Sequence, residues 1–251
     1  ILIMLVTYYL GEYYDYESDS LNREFNKFSG GSRALQAGLI PRHHPLIAAY
    51  VCLALAIIIG LVLQFYYKTG VYTIPLGAFG LFCGFFYSGK PFQWSRRGWG
   101  ELLIALCYGW LTVNAGYYLQ VAHFSLVPAL ISIPIGISIF LVILINEFPD
   151  YTSDKISGRQ NLVVRFGKER MAQLYSWLLI FCYLSIVAGY FYDIPDIAII
   201  LSTLVLALVI WNILAIRKKR YENKRALEGL CPRTILLNLL IASIYIVSFA
   251  I

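Results

Sequence analysis

Charge is scarce in this sequence. Only 14% of its 251 residues are Asp, Glu, Lys or Arg, where a soluble domain ordinarily carries about a quarter. That shortage argues against a soluble globular domain. The five cysteines (Cys52, Cys83, Cys107, Cys182, Cys231) are scattered, four of them in apolar runs. No pair has metal-ligand spacing, so they read as single buried thiols and not as a disulfide framework or a zinc site. Phosphate-cradling glycine loops, nucleophile elbows and zinc signatures are absent. His43 and His44 have no partner at ligand spacing and precede a helix start at Pro45, which makes them structural. The opening apolar run, Ile1–Leu10, has no basic region before it and no cleavage site after it, so it is not a signal peptide. It is too short to cross a bilayer and reads as the second half of a span whose beginning is missing.

What the chain has instead is apolar length. Hydrophobic residues make up 59%, and runs of eighteen or more recur, as at Ile47–Tyr66, Leu126–Ile145, Ile197–Ile216 and Thr234–Ile251. That length crosses about 30 Å of hydrocarbon. The predicted spans are 1–10 (partial), 47–66, 71–87, 101–122, 126–146, 171–192, 196–216 and 234–251. Their connections alternate in charge. Segments 11–46, 88–100, 147–170 and 217–233 hold nineteen of the twenty Lys and Arg residues, and only Lys68 lies on the other side. This bias places the long segments in the cytoplasm and the chain in the plasma membrane as a multi-pass protein. The net charge of +6 is thereby an orientation signal, with no nucleic-acid partner needed to explain it. The run RKKRYENKR (217–225) reads as a stop-transfer loop, with anionic lipid head groups as its other candidate partner.

Two cytoplasmic segments repeat each other: Gly11-Glu12-Tyr13-Tyr14-Asp15-Tyr16-Glu17-Ser18-Asp19 and Asn146-Glu147-Phe148-Pro149-Asp150-Tyr151-Thr152-Ser153-Asp154. Each follows an apolar run, and four spans separate them. This predicts an all-α, multi-pass bundle of two four-helix repeats in one transmembrane domain, with halves at about 1–122 and 126–251. Residues i and i+4 share a helix face, so Asp15 pairs with Asp19, with Glu12 a turn earlier. Asp150 likewise pairs with Asp154, with Asn146 and Glu147 a turn earlier. Facing each other, the two helix ends would gather four carboxylates around one cavity, where they repel each other and the partial negative charge of a helix C-terminus. A hard cation resolves that conflict. Mg²⁺ or Ca²⁺ suits oxygen ligands, and Mg²⁺ characteristically completes its shell with water and substrate phosphate oxygens. The metal ligands expected are Glu12, Asp15, Asp19, Asn146, Asp150 and Asp154. Candidate diphosphate ligands are Arg33, Lys90, Arg96, Arg97, Lys155 and Arg159, with Lys155 and Arg159 favoured because they adjoin Asp154. Tyr14, Tyr16, Tyr87 and Tyr151 fit a site that must stabilise an allylic cation, since ring faces attract positive charge.

These residues resemble the UbiA superfamily of intramembrane prenyltransferases, which carries N-D-x-x-D-x-x-x-D in its first half and D-x-x-x-D in its second. GEYYDYESD matches the first motif, with Glu12 at its first aspartate and Gly11 in place of the usual asparagine, and NEFPDYTSD matches the second. SGGSRALQAGLI (29–40), FYSGKP with RRGWGE (86–101) and SDKISGRQNLVVRFG (153–167) extend the resemblance. YYDYESD, GGSR and GxGE look most like the branch acting on 1,4-dihydroxy-2-naphthoate in menaquinone and vitamin K formation. The resemblance implies nine spans, against seven and a fragment here. It also implies a Mg²⁺-dependent transfer of a polyprenyl group from a prenyl diphosphate to an aromatic acceptor, with Asp15, Asp19, Asp150 and Asp154 as the catalytic set. Two alternatives remain: the same donor with another acceptor (haem, a chlorophyll precursor or a glycerol phosphate lipid), or a cation transporter. Transporters place their charges near the midplane on broken helices, and the spans here are nearly free of charge.

Overall fold

The computed structural model describes residues 1–21 and 31–250; Arg23 and Lys27 of the orientation count lie outside them. Every regular element among the described residues is helical. The N-terminal half holds α1 (Leu2–Tyr14), the short α2 (Tyr16–Leu21), α3 (His43–Leu61, running on as a π-helical turn over Val62–Tyr66) and α4 (Thr73–Ser88). It closes with a composite helix: α5 (Gly100–Ile104), a π-helical segment (Ala105–Leu111) and α6 (Thr112–Val121). The C-terminal half holds α7 (Leu126–Ile156), the short α8 (Leu162–Phe166), α9 (Lys168–Ala188), α10 (Asp196–Arg217) and α11 (Lys224–Ala250). Among the described residues six helices are long and apolar enough to cross a membrane, and Thr73–Ser88 is a shorter apolar helix. Many of their side chains, among them Val51, Leu55 and Ile58 of α3, are large, apolar and exposed, as lipid contact demands. The chain is a multi-pass α-helical membrane protein.

The halves are packed differently. In the C-terminal half α7, α9, α10 and α11 form a ring in which each helix packs on its neighbours. Leu141, Leu144, Phe148, Tyr175, Leu179 and Leu237 fill its centre. Polar groups stitch the ring: Asn212 donates to Tyr175 Oη (3.2 Å), which shares a hydrogen bond with Thr234 Oγ1 (2.6 Å). Asn238 donates to Ser138 Oγ (2.8 Å). Between helices in hydrocarbon such bonds contribute about 0.6 kcal/mol each. The N-terminal half has only a small buried cluster, Val6, Leu10, Ala49 and Cys52, where α1 meets α3. The rest of its interior is a channel lined by apolar residues, described below. The two halves meet where the π-helical segment crosses α7. Gly109 and Gly136 allow backbone contact there, because a Cβ on either would meet the other helix's backbone.

Candidate active site

Helical phase decides which side chains reach the site. The α1 helix ends at Asp15 (φ −89°, ψ 0°), and α2 resumes after it, with the Asp19 N–H donating to the Asp15 carbonyl at 2.8 Å. The expected one-turn offset between Asp15 and Asp19 is thus kept across a bend. The second motif does not end its helix: α7 runs on to Ile156 with Pro149 inside it. Pro149 has no N–H for the Ile145 carbonyl, and Cys231 Sγ lies 3.8 Å from that oxygen. The helix then stops in a Schellman turn, in which Gly158 N–H bonds Lys155 O (3.4 Å) and Arg159 N–H bonds Asp154 O (2.9 Å). Gly158 takes the left-handed conformation that this closure requires (φ +74°). The turn sends Arg159 back over the motif that precedes it.

Asp15, Asp19, Asp150, Asp154 and Arg159 all line one cavity of about 620 Å³, together with Glu12, Ser18, Gly31, Ser153 and Tyr87. Arg159 is the one cation among the described residues lining it. Its Nη2 lies 2.9 Å from Asp15 Oδ2 and its Nη1 3.6 Å from Asp154 Oδ1, so one guanidinium ties the first motif to the second. Asp15 and Asp154 hold the Arg159 pKa above its ordinary value even though burial would lower it. Asn161 Nδ2 donates to Asp154 Oδ2 at 2.7 Å while Asn161 Oδ1 caps α8 through the Val164 N–H, so this cap also fixes a motif carboxylate. Burial, and after it the neighbouring Asp15 carboxylate, pushes Asp19 up to about 7 against the pull of Arg159. Glu12 is 9% exposed and accepts from Ser32 N–H (2.8 Å) and Ser32 Oγ (2.9 Å), so its carboxylate closes the 31–34 loop over the cavity.

Other candidates lie elsewhere. Tyr14, Tyr151 and Lys155 each stand one residue from a motif aspartate and are turned about 100° off its face. Tyr14 packs on the α1–α3 cluster, Tyr151 packs on the C-terminal core beneath Lys168 Nζ (5.2 Å), and Lys155 is exposed. Tyr16, beyond the bend, lies under the Arg42 guanidinium at 4.8 Å. Lys90 is exposed. Arg33 Nη1 donates to the Asp19 carbonyl, outside the cavity wall. Arg96 and Arg97 line a separate groove. Asn146 lies a turn below Asp150 and does not line the cavity, although its Oδ1 is buried without a hydrogen-bond partner. Sequence reasoning did not select Tyr8, Ser88, Tyr108 or Asn161; Tyr108 sits in an apolar run, where nothing marks it.

Below the acidic cavity lies the apolar channel, about 510 Å³, walled by α1, α3, α4 and the α5–α6 helix. Ile59, Leu63, Leu76, Leu103 and Leu111 line it, and so do Gly60, Gly77, Gly80 and Gly84. Met4, Thr7, Tyr87 and Tyr108 border both spaces. A chamber of carboxylates thus shares a wall with a slot fit for a hydrocarbon, and two tyrosines stand in that wall.

The donor set also fits a hard divalent cation. All four motif groups are carboxylates, Arg159 is the one cation among the described residues lining their cavity, and an orphaned Asn146 oxygen lies one turn from Asp150. Among the described residues no three His, Cys, Asp or Glu groups converge tightly enough to hold an ion alone. A cation here would complete its shell with water or phosphate oxygens.

The chain is similar to several known proteins. The UbiA prenyltransferase domain-containing protein 1 of Dictyostelium discoideum is 29% identical over 111 residues, 44% of this chain and 34% of that protein. The 2-carboxy-1,4-naphthoquinone phytyltransferase of Synechocystis is 29% identical over 109 residues, 43% and 36%. The 1,4-dihydroxy-2-naphthoate octaprenyltransferase of Bacillus subtilis is 27% identical over 165 residues, 66% and 51%. The chain thus spans between a third and a half of the length of these relatives. A solved structure reported for digeranylgeranylglyceryl phosphate synthase in membranes shares the fold, with a TM-score of 0.61 at 18% identity over 98% of this chain and 84% of that one. The family model described as the UbiA prenyltransferase family matches residues 1–240, and the chain belongs to that family.

Proposed function

We propose that this chain transfers a polyprenyl group from a prenyl diphosphate to an aromatic carbon of a bicyclic acceptor such as 1,4-dihydroxy-2-naphthoate. The observation that carries the reading is the shared wall, in which Met4, Thr7, Tyr87 and Tyr108 line both a carboxylate chamber and an apolar channel. An amphipathic donor of this shape places its diphosphate at Asp15, Asp19, Asp150 and Asp154 and its tail among α1, α3, α4 and α5–α6. Two relatives are named for naphthalene-ring acceptors, which supports that acceptor class. Each motif helix opens its half and packs on the long helix that follows it, α1 on α3 and α7 on α9, which supports a duplicated unit within one domain.

In this reading the four aspartates would hold Mg²⁺. The bound metal supplies Lewis-acid stabilisation of the departing diphosphate. Arg159 contributes a fixed positive charge where negative charge develops as the carbon–oxygen bond breaks and diphosphate leaves with the electron pair. The ring faces of Tyr87 and Tyr108 border the allylic carbon and stabilise its positive charge. An aromatic carbon of the acceptor supplies the electrons for the new bond and then loses its proton. The distribution of basic residues supports a chamber facing the cytoplasm from the plasma membrane.

The test supplies the full chain in lipid with geranylgeranyl diphosphate and 1,4-dihydroxy-2-naphthoate, with and without EDTA. Prenylated product should form only without EDTA, and Asp19→Asn and Asp154→Asn should each lower the rate at least about a hundredfold. Undiminished turnover in both variants would sink the site assignment. Product formed with a glycerol phosphate acceptor and not with the naphthoate would overturn the acceptor class.

A further inference from the structure

Arg96 and Arg97 do not face the carboxylates. With Arg165 they line a second cavity of about 670 Å³ between the 93–99 segment and the 157–165 segment. The hydrogen bonds these guanidiniums make are all to backbone carbonyls. Arg96 Nη2 donates to Ser157 O (3.2 Å), Arg97 Nη2 to Pro91 O (3.0 Å) and Arg165 Nη1 to Arg97 O (3.3 Å). None lies within ion-pair distance of a described carboxylate. Each bond uses one of five N–H donors, so three tethered cations keep most of their donors for whatever enters. Gln93 and Gln160 line the same groove; Gln93 Nε2 donates to Ser88 O at 3.3 Å, which leaves one of its two N–H groups over. The walls are docked by backbone: Gln160 N–H bonds Arg96 O at 2.8 Å. A Cβ on Gly98 (φ +73°) would meet Gln160 O at 2.7 Å. Like charges held together without a counter-charge repel, and a folded loop pair that maintains this arrangement is built for an anion. Planar guanidiniums beside amides suit the oxygens of a phosphate in particular.

The surroundings indicate where the phosphate comes from. Trp99 lines the rim and is exposed, as are Phe92 and Phe166 nearby. An amphipathic Trp ring beside cations is what the membrane–water interface selects, and the two exposed Phe rings add apolar surface there. We infer that this groove is a phosphate-binding site separate from the acidic cavity, taking the phosphate of an anionic lipid head group or a free phosphate. It backs the turn that carries Arg159, because Ser157, Gly158 and Gln160 face the groove while Asp154 and Arg159 face the acidic cavity. The inference stands without the prenyl-transfer reading.

The experiment uses the full chain with EDTA present, which silences metal-dependent binding at the carboxylates. Binding of inorganic phosphate is measured in neutral detergent, and binding of phosphatidic acid against phosphatidylcholine is measured in nanodiscs. A triple variant (Arg96→Gln, Arg97→Gln, Arg165→Gln) should bind at least about tenfold more weakly, since it loses charge-assisted hydrogen bonds. Gln160→Glu keeps every carbonyl tether, puts a carboxylate in the groove, and should weaken binding in the same direction if the triple variant folds poorly. Lys155→Gln, exposed on the same side and outside the groove, should bind like the parent. Preference for phosphatidic acid over phosphatidylcholine, without binding of inorganic phosphate, identifies a lipid head group; binding of inorganic phosphate identifies a soluble anion. Either supports the site. No binding of either probe by the parent overturns it, as does parental affinity in Gln160→Glu or an equal loss in Lys155→Gln.

Discussion

Replacing Arg159 by glutamine tests whether one guanidinium serves both motifs. It lies 2.9 Å from Asp15 and 3.6 Å from Asp154, and the three side chains are 19%, 16% and 8% exposed. Opposite charges about 4 Å apart attract by ~4 kcal/mol at an effective dielectric of ~20, and desolvation of the partners offsets part of this. A charge-assisted hydrogen bond contributes about 1.5–3 kcal/mol net. If Arg159 makes one such bond to the departing diphosphate that the substrate's ground state lacks, Arg159→Gln should slow turnover about 10- to 150-fold. The same change removes the cation that neutralises the carboxylates of the metal-free protein. The Mg²⁺ concentration for half-maximal activity should therefore fall while the maximal rate falls. Arg159→Lys keeps the charge without the planar fork and should lie between. Prenyl transfer measured across a Mg²⁺ titration in lipid separates these outcomes. Parental turnover in Arg159→Gln would refute the reasoning, and so would a rate loss that extra Mg²⁺ fully restores, since Arg159 would then act only by assembling the metal site.

Three further outcomes are expected. Cβ space at Gly77 is open, with nothing within 4 Å, so Gly77→Phe should plug the channel about 15 Å along α4 from Tyr87 without disturbing packing. At ~0.8 kcal/mol per CH₂ denied burial, kcat/KM for geranylgeranyl diphosphate should fall at least about tenfold relative to geranyl diphosphate; an unchanged ratio would place the tail elsewhere. Because burial and Asp15 raise Asp19 to about 7, a proton competes with the metal there below that pH. Apparent Mg²⁺ affinity should drop about tenfold per pH unit below 7 and level off above it, as isothermal titration at several pH values would show. Gly98→Ala, at positive φ and against Gln160, should cost about 1–3 kcal/mol, visible as a lower melting temperature in detergent.

Hydropathy located the long helices well because lipid contact is written into every exposed residue of a span. It placed their ends less well. The predicted 126–146 segment stops where apolar residues stop, yet α7 continues ten residues further through the acidic motif to Ile156, since backbone hydrogen bonding does not end at the membrane edge. The bend at Asp15 and the π-helical run at Ala105–Leu111 left no mark in composition. At the site, the four aspartates that the i, i+4 spacing groups line one cavity. Of the two basic residues that adjoin Asp154 in sequence, Lys155 is exposed, while Arg159, five residues on, is returned by the Gly158 turn. Adjacency set Arg159 ahead of Arg96 and Arg97 in sequence, but only the long-range docking of two loops shows which cavity each loop arginine enters.

The apolar channel lies in the N-terminal half, whereas the C-terminal half packs large side chains at its centre. The walls that would measure a tail come from residues before 120, whereas Asp154, Arg159 and Asn161 hang from that packed ring. Variation at the channel-lining positions of the N-terminal half can therefore change what is accepted without touching the motif positions Asp15 and Asp19 or the C-terminal frame. A chimaera joining another member's residues 1–121 to residues 122–251 of this chain would carry over the donor's length preference and keep this chain's Asp150, Asp154 and Arg159.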